Sequence, residues 1–275
     1  MAQLRIATWN LERPTLTGDV KNSLRLDKIR EINADLWVLT ETSSAIALDG
    51  YAGLASGSES GYHRAGENFA TIWSRWPIRR RLPTFDSSFT VCAEVESPVG
   101  LMVVFGTIIT YANDRGPDGV ARRWEEHRKS IRAHGADWWR LRQEFPNHIF
   151  CVAGDFNQSR DGSGWYEDAQ SVKMLSAALD NSNLKCVTEG DMRASGHLKS
   201  RASIDHICLS KSLTTQDVTM SAWEGTNADG CRMSDHNGVV VEIMAQSGSR
   251  GDFSPSPHTT LQAGPHRAVP EKFSR

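Results

Sequence analysis

Four short polar clusters, spread over most of the 275 residues, carry the side chains best suited to chemistry. Each ends or opens an apolar, strand-like run, and they read Trp9-Asn10-Leu11-Glu12, Gly154-Asp155-Phe156-Asn157, Ile204-Asp205-His206 and Ser234-Asp235-His236. An unpaired charge is costly to bury, so a fold that repeats this arrangement must have a use for it. The clusters predict one acidic, metal-binding pocket that hydrolyses a phosphoester.

The second cluster offers a water-activating pair. In an extended segment Asp155 and Asn157 point to the same side, while Phe156 points into the core. An Asp can orient and deprotonate a water, and an Asn amide can position that water or donate to a developing oxyanion. Gly154 allows backbone or ligand to approach closely. An ordinary turn remains the alternative, because Gly, Asp and Asn are common after strands.

The last two clusters offer a histidine and its partner. Asp235 can ligate a cation, and His236 can act as a general base or as a charged donor to phosphate. A carboxylate fixes the tautomer of a histidine and raises its pKa, and Asp205 is the candidate for this role. His206 should face the opposite side of its strand, which predicts a packing role.

Glu41 follows an apolar run at residues 36–39 and is a hard oxygen ligand of the kind that Mg²⁺ prefers. Magnesium keeps several waters and takes only one or two protein carboxylates. Glu41 and Asp235, helped by the amide oxygen of Asn10, would form such a shell. A single Glu after a strand is usually just exposed, so this prediction depends on the other clusters.

The elements that would position these groups are at least eight strands and three helices. The clearest helix runs from about Val120 to Phe145, with apolar residues at steps of three and four; another is predicted over residues 172–179. Some strands follow each other as hairpins and others are separated by helices, which favours packed sheets flanked by helices. Residues 1–245 are predicted to form the catalytic domain, and the Pro-, Ser- and Gly-rich residues 246–275 a disordered tail.

The bulk composition excludes several classes of protein. A net charge of −2 argues against coating nucleic acid through bulk charge, although a local basic groove stays possible. The longest apolar stretch, residues 101–109, is too short to span a bilayer. The five cysteines indicate neither a disulfide framework nor a zinc site. We expect a cytoplasmic monomer that does not engage membranes.

Taken in order, the motifs resemble the endonuclease/exonuclease/phosphatase superfamily, which includes DNases, AP endonucleases, inositol polyphosphate 5-phosphatases, neutral sphingomyelinases and deadenylases. The resemblance covers about residues 4 to 244, and the segment at residues 70–78 contributes to it. The matching motifs are Thr8-Trp9-Asn10, Thr40-Glu41-Thr42, Gly154-Asp155-Phe156-Asn157, Ile204-Asp205-His206 and Ser234-Asp235-His236.

This resemblance implies an α/β fold, a four-layered sandwich in which two mixed β-sheets lie face to face and are flanked by helices. It also implies that Asn10, Glu41 and Asp235 hold or orient Mg²⁺ or Mn²⁺. Physically, such a metal offsets charge on the phosphate oxygens, where charge develops during hydrolysis. The implied activity is that of a metal-dependent phosphoester hydrolase.

The resemblance further assigns the catalytic residues. Asp155 and Asn157 would position the attacking water and stabilise the transition state. His236 would pair with Asp205 and either activate water or donate to the scissile phosphate. Tyr111 lies in a segment similar to the Tyr-bearing segment of the exonuclease and AP-endonuclease branch, and it is a candidate phosphate contact or acid.

Three hypotheses for the substrate follow. The leading one is a phosphodiesterase that cleaves DNA or RNA. The second is a small-molecule or lipid phosphatase or phosphodiesterase, which the near-neutral charge supports. The third is a non-catalytic binding protein, which the complete set of acidic positions argues against.

Side chains outside the motifs bear on this choice. Trp165 and Trp223 fall in predicted loops next to motifs and are candidates for stacking on a base or sugar. Lys199 and Arg201 can contact phosphate, although a solvated loop is the favoured interpretation of that segment. The Trp that the AP-endonuclease branch carries near this place is missing here, which weakens an abasic-site substrate.

Overall fold

The computed structural model describes residues 2–58, 63–213 and 217–245. The predicted tail at residues 246–275 lies outside the described residues. The strands are β1 (Ala2–Asn10), β2 (Leu36–Ser43), β3 (Ala52–Ala55), β4 (Glu67–Ser74), β5 (Ile78–Leu82), β6 (Val91–Ser97), β7 (Gly100–Ile108), β8 (Ile149–Asp155), β9 (Leu184–Cys186), β10 (Asp205–Ser210), β11 (Asp217–Trp223) and β12 (Gly238–Ala245). The helices are α1 (Asp19–Ile32), α2 (Glu125–Glu144) and α3 (Ala169–Asn181).

The strands form two mixed six-stranded sheets. The first sheet has the order β11-β12-β1-β2-β4-β3, and the second has the order β5-β6-β7-β8-β10-β9. Two pairs, β1 with β2 and β7 with β8, are parallel, and the other paired neighbours are antiparallel. The sheets pack face to face with the three helices outside, so the predicted four-layered sandwich is confirmed.

Alternation along the strands builds three apolar layers. In β1, Leu4 and Ile6 face the core between the sheets, whereas Ala7 and Trp9 face the layer under α1. This alternation follows from the two-residue period of a strand. A third layer, which includes Trp138 of α2, lies between the second sheet and α2 and α3. Strands that are buried on both faces hold their ends in fixed positions, which matters for the site below.

The helix predicted from about Val120 begins later. Val120 is exposed, and α2 starts only at Glu125 because Trp124 adopts a left-handed backbone with a φ of 69°. Its N–H donates to the Ala112 carbonyl at 2.7 Å, and its ring packs edge-on against Tyr166. These tertiary contacts override the helical periodicity. The described helices include none that is long and apolar enough to cross a membrane.

Candidate active site

Strand register brings the polar clusters to one edge of the sandwich. Asn10 and Glu41 emerge together because β1 and β2 are parallel neighbours, with Asn10 beside the residue before Glu41. In the second sheet Asp155, the last residue of β8, pairs directly with Asp205, the first residue of β10. The loop before β12 adds His236, because β12 runs antiparallel beside β1.

Asn10 is the hub that joins the carboxylates of both sheets. It is fully buried. Its backbone N–H donates to Asp205 Oδ1 at 3.1 Å, and its Nδ2 donates to Glu41 Oε1 and Asp155 Oδ2, each at 3.1 Å. Its Oδ1 accepts the N–H of Glu12 at 2.9 Å. Asn10 therefore presents its amide nitrogen, rather than the predicted oxygen, to the other site residues.

His236 and Asp205 form a close pair. The distance from His236 Nδ1 to Asp205 Oδ2 is 2.7 Å, and the carboxylate is fully buried. Burial opposes the charged imidazolium, but the carboxylates of Asp205 and Asp155 outweigh it and raise the pKa of His236 to about 10. The imidazole ring of His236 is therefore protonated at neutral pH, and its Nε2 is left to face a substrate.

Asp155 is held by the residue two positions after it. Asp155 Oδ1 accepts the backbone N–H of Asn157 at 2.8 Å, and Asp155 Oδ2 accepts Asn157 Nδ2 at 2.9 Å. The same Nδ2 also donates to the Ile109 carbonyl at 2.9 Å, which ties this pair to the end of β7. Burial raises the pKa of Asp155 to about 7, against the opposing charge of His236. A carboxylate with a pKa near neutrality can take a proton from water at physiological pH.

Unusual backbone conformations gather around these side chains. Four of the seven non-glycine residues with positive φ in the described part of the chain lie here: Glu12 (53°), Arg13 (50°), Glu41 (43°) and Asn157 (48°). Such strain costs free energy and concentrates at functional sites. The predicted close approach at Gly154 is confirmed, because a Cβ there would lie 2.0 Å from the Thr107 carbonyl oxygen.

Glu41 and Asp235 supply oxygen donors of the kind that a divalent cation takes. Burial raises the pKa of Glu41, and the negative charge of Asp235 adds to this effect. Asp235 is 47% exposed, and its Oδ1 lies 4.0 Å from His236 Nε2. Oxygen donors that repel one another are the setting in which a hard cation such as Mg²⁺ or Mn²⁺ binds.

A second group of ligand atoms needs a different interpretation. Atoms of Asp155, Asp205 and His236 lie within 4.8 Å of one another, as they would around a metal ion. However, both oxygens of Asp205 already accept hydrogen bonds, from Asn10 and from His236. This group is therefore better described as a histidine–carboxylate pair beside a third carboxylate.

A cleft of about 520 Å³ opens above these residues, and they form the base of the cleft. Glu41, Asp155, Asn157 and His236 line it, together with the rim residue Tyr111, which is 51% exposed. The structure thus brings Tyr111 to the predicted site. Asp235 lines a neighbouring hollow instead, so it borders the site from the far side of His236.

His127, on α2, connects the rim of the cleft to the base of the cleft. Sequence reasoning missed this residue. It is fully buried; its Nδ1 donates to the Thr110 carbonyl at 2.6 Å, and its Nε2 lies 3.2 Å from Gln158 Oε1. Thr110 precedes Tyr111 and Gln158 follows Asn157, so one side chain touches both of the segments that carry these predicted site residues. Its place on the apolar stripe of α2 gave no signal for this role, because such a stripe predicts packing alone.

Tyr111 is fixed from its other side by Ala112. The Ala112 N–H donates to the Tyr166 hydroxyl at 3.2 Å, and the Ala112 carbonyl accepts the N–H of Trp124 at 2.7 Å. The backbone on both sides of Tyr111 is therefore held while its side chain stays exposed.

Two predictions about neighbouring residues have opposite outcomes. Trp223 was a stacking candidate, but it is only 8% exposed and packs edge-on against Trp9 and Trp37 in the core, so that prediction is wrong. His206 is buried and bonded to the Gln158 carbonyl at 3.0 Å, which confirms the predicted packing role.

Comparisons with known proteins agree with this architecture. A sequence profile described as the Endonuclease/Exonuclease/phosphatase family matches residues 7–236. No curated protein sequence matches the chain.

Similar solved structures include the 3′ phosphatase NExo from Neisseria, bound to a product DNA hairpin (TM-score 0.63, 17% identity, 88% of this chain and 100% of that chain). An AP endonuclease from Archaeoglobus fulgidus is also similar (TM-score 0.60, 14% identity, 88% and 100% covered). So is the catalytic domain of human Nocturnin with bound sulfate (TM-score 0.59, 18% identity, 88% and 94% covered). At these identities the likeness establishes the fold.

Two stacked mixed sheets with an acidic, histidine-containing site at one edge define a class of phosphoester hydrolases. Because the family profile spans most of the chain, this protein belongs to the Endonuclease/Exonuclease/phosphatase family. Phosphoester hydrolysis is therefore the supported class of reaction.

Proposed function

We propose that this protein is a metal-dependent phosphodiesterase that cleaves nucleic acid with an activated water. The observation that carries the proposal is that one cleft holds two titratable groups whose pKa values are both raised, a carboxyl and an imidazole. Asp155 has a pKa raised by burial to about 7, and His236, despite its burial, has a pKa raised by Asp205 to about 10. Groups tuned in this way suit a general base and a charged donor.

Asp155 is the proposed base. Its carboxylate is held by Asn10 and Asn157 through hydrogen bonds of 2.8 to 3.1 Å, so it cannot turn away from a water in the cleft. The Nδ2 of Asn157 is committed to Asp155 and to the Ile109 carbonyl, which leaves its Oδ1 to accept a hydrogen bond from the same water and orient it. Proton transfer to a group placed in this way contributes roughly 10²–10⁴-fold to a rate.

His236 is the proposed donor to the phosphate. Its Nδ1 is committed to Asp205 at 2.7 Å, which leaves Nε2 as the atom that donates to a non-bridging oxygen. Because Asp205 keeps the ring charged, this contact strengthens as negative charge develops. Tyr111, on the rim, is the proposed second phosphate contact.

Glu41 and Asp235 are the proposed ligands of Mg²⁺ or Mn²⁺, with Asn10 orienting Glu41. When bound, such an ion supplies a Lewis acid that neutralises charge on the phosphate. Arg13, paired with Glu67, also lines this part of the cleft, and its charge moderates the repulsion that Glu41 experiences.

A nucleic acid is the proposed substrate. The support is that similar structures include the endonuclease domain of the telomere-specific retrotransposon TRAS1 and NExo bound to a DNA hairpin. A small-molecule or lipid phosphoester is the second candidate, favoured by the net charge of −2.

The test is a substrate panel with matched variants. Purified protein is assayed on DNA, RNA, inositol phosphates and sphingomyelin with Mg²⁺, Mn²⁺ or a chelator. We expect metal-dependent cleavage of nucleic acid, and a loss of at least about a hundredfold in kcat for Asp155→Asn and His236→Ala. Asp137→Asn, a buried carboxylate of α2, is the control and should keep its activity. Cleavage that survives both active-site changes in folded protein would refute the mechanism.

A further inference from the structure

Arg201 lies in the loop before β10, beside the loop that carries His236. Its carbonyl accepts a hydrogen bond from Asn237 Nδ2 at 3.1 Å, and Asn237 Oδ1 accepts the N–H of Gly225 at 3.2 Å. A Cβ on Gly225 would lie 2.5 Å from the His236 carbonyl oxygen, so these loops are in close backbone contact. The backbone of Arg201 is therefore fixed relative to His236.

The side chain of Arg201 lies on an exposed tryptophan. Its guanidinium carbon is 5.4 Å from the ring centroid of Trp165, which is 42% exposed. The turn that presents Trp165 is braced, because Gly164 N–H donates to Glu167 Oε1 at 3.0 Å. A guanidinium stacked on an aromatic face keeps its N–H edge available for other partners.

No carboxylate within the described residues pairs with the Arg201 guanidinium. Other arginines nearby differ: Arg160 pairs with Glu189, and Arg232 pairs with Glu12 and, at 3.8 Å, with Asp235. Glu224 lines the same hollow, but its carboxylate already accepts two backbone N–H groups and the hydroxyl of the 199–200 segment. The donors of Arg201 are therefore oriented but have no anionic partner in the part of the chain that the structure describes.

These donors face a hollow beside the catalytic cleft. The hollow measures about 260 Å³, and Arg201, Arg232 and Asp235 line it. Asp235 separates it from His236, whose Nε2 is 4.0 Å away from Asp235 Oδ1. Since Asp235 lines the hollow and lies next to His236, a phosphodiester chain with one phosphate at His236 can place its neighbouring unit in this hollow.

We propose that Arg201, held on Trp165, binds the phosphate adjacent to the scissile one, so that the site selects a polynucleotide over a substrate with a single phosphate. This inference rests on the proposed function and adds the basis of its substrate choice. Arg is suited to the role because its planar fork matches two phosphate oxygens.

Salt dependence tests this contact. KM is measured from low to moderate salt for a single-stranded oligonucleotide and for thymidine 5′-(p-nitrophenyl phosphate), which has only the scissile phosphate. We expect Arg201→Gln to raise the oligonucleotide KM about tenfold. The slope of log KM against log salt should fall by about 0.7, the value for one lost contact on a single strand. KM for the single-phosphate diester should not change.

Three further variants make the result specific. Arg30→Gln removes an equal charge from the far end of α1, where Arg30 pairs with Asp27, and should leave the slope unchanged. Trp165→Ala should reproduce part of the rise in KM seen in Arg201→Gln. Trp165→Phe keeps an aromatic ring under the guanidinium and should retain a KM close to that of the wild type. An unchanged slope in Arg201→Gln, or a change equal to that of Arg30→Gln, would overturn the proposal.

Failure of this inference is distinguishable from failure of the proposed function. If wild type cleaves the oligonucleotide and Arg201→Gln behaves like wild type, only the phosphate subsite is refuted. If wild type cleaves no nucleic acid, the proposed substrate is refuted, and the subsite falls with it. An Arg201→Gln effect confined to an inositol polyphosphate would assign the second phosphate to a small molecule and overturn the polynucleotide assignment.

Discussion

The base and the rim of the cleft are built in different ways. At the base, Asn10 is buried and donates hydrogen bonds to the buried carboxylates of Asp155 and Asp205, whereas the rim residue Tyr111 and the nearby loop residue Trp165 are 51% and 42% exposed. Base residues sit at the ends of buried strands, and the rim residues sit on loops. This difference suggests that the base is dedicated to the reaction while the rim decides which phosphoester enters.

The contrast has an energetic origin. A buried charge without partners is costly, so every carboxylate at the base must be paired, and each pairing restrains the next. An exposed rim carries no such requirement, and its side chains can change without leaving a buried charge unpaired. We therefore expect substitutions at the base of the cleft to lower kcat and substitutions at its rim to change KM.

The largest effect is expected at Asp205. Asp205→Asn keeps one oxygen for the Asn10 N–H but removes the charge that sustains the imidazolium of His236. Because Asp205 contributes to raising the pKa of His236 to about 10, its loss must lower that pKa. As the pH is raised, His236 should then lose its proton at a lower pH than in the wild type, and activity that needs the charged ring should be lost there. We expect kcat to fall about a hundredfold or more, and the alkaline limb of the kcat–pH profile to move to lower pH.

The two outcomes of this experiment have distinct meanings. A fall in kcat without a shift of the alkaline limb would show that His236 does not act as a cation. A change confined to KM would contradict the division between base and rim. Thermal unfolding of the variant shows whether the protein remains folded.

A smaller effect is expected at His127, which joins base and rim. Burial lowers the pKa of His127, so a neutral ring donates from Nδ1 to the Thr110 carbonyl, and its Nε2 accepts. Gln158 Nε2 has no hydrogen-bond partner within the described residues. If the Gln158 amide is reversed, its Nε2 donates to His127 Nε2, and both nitrogens gain a hydrogen bond. His127→Phe removes both contacts and should lower kcat about ten- to thirtyfold.

His134, which lies two turns further along α2, is the matched control. It is equally buried, and burial lowers its pKa to about 4, but its Nδ1 bonds only within α2, to Ser130. We expect His134→Phe to leave kcat unchanged. His127→Asn places an amide nitrogen where Nδ1 was and should recover part of the kcat lost in His127→Phe. Equal losses of kcat in the two phenylalanine variants would indicate a general packing defect instead.

Polar clusters at the ends of apolar strands leave a linear signal, and the family resemblance that these motifs carry is what implied the four-layered sandwich. The two-residue spacing predicted that Asp155 and Asn157 lie close together, but β8 ends at Asp155, and the left-handed backbone of Asn157 (φ 48°) is what turns its amide back to that carboxylate. The partners of Asn10 could not be predicted, because they depend on β1–β2 register and on two facing sheets. Whether Asn10 presents oxygen or nitrogen is a property of that assembled network.

The errors have the same cause. Trp223 looked like a loop residue, but β11 extends to it and two distant tryptophans cover its ring. Residues 120–124 fit the helical period, but contacts of Trp124 with Ala112 and Tyr166 delay the start of α2. Local periodicity carries no information about such distant partners, and they decide both cases.

The smallest effect is expected at Tyr111, where the rim meets the reaction. Its hydroxyl is exposed, so water competes with any bond it makes to phosphate, and a neutral hydrogen bond of this kind is worth about 0.5–1.5 kcal/mol. Tyr111→Phe should therefore raise KM about three- to tenfold and leave kcat within about twofold. Because the hydroxyl alone is removed, the ring and the backbone bonds of Ala112 persist as an internal control for folding. A loss confined to kcat would contradict a substrate-binding role for Tyr111, since the loss of an interaction made only in the transition state lowers kcat without changing KM.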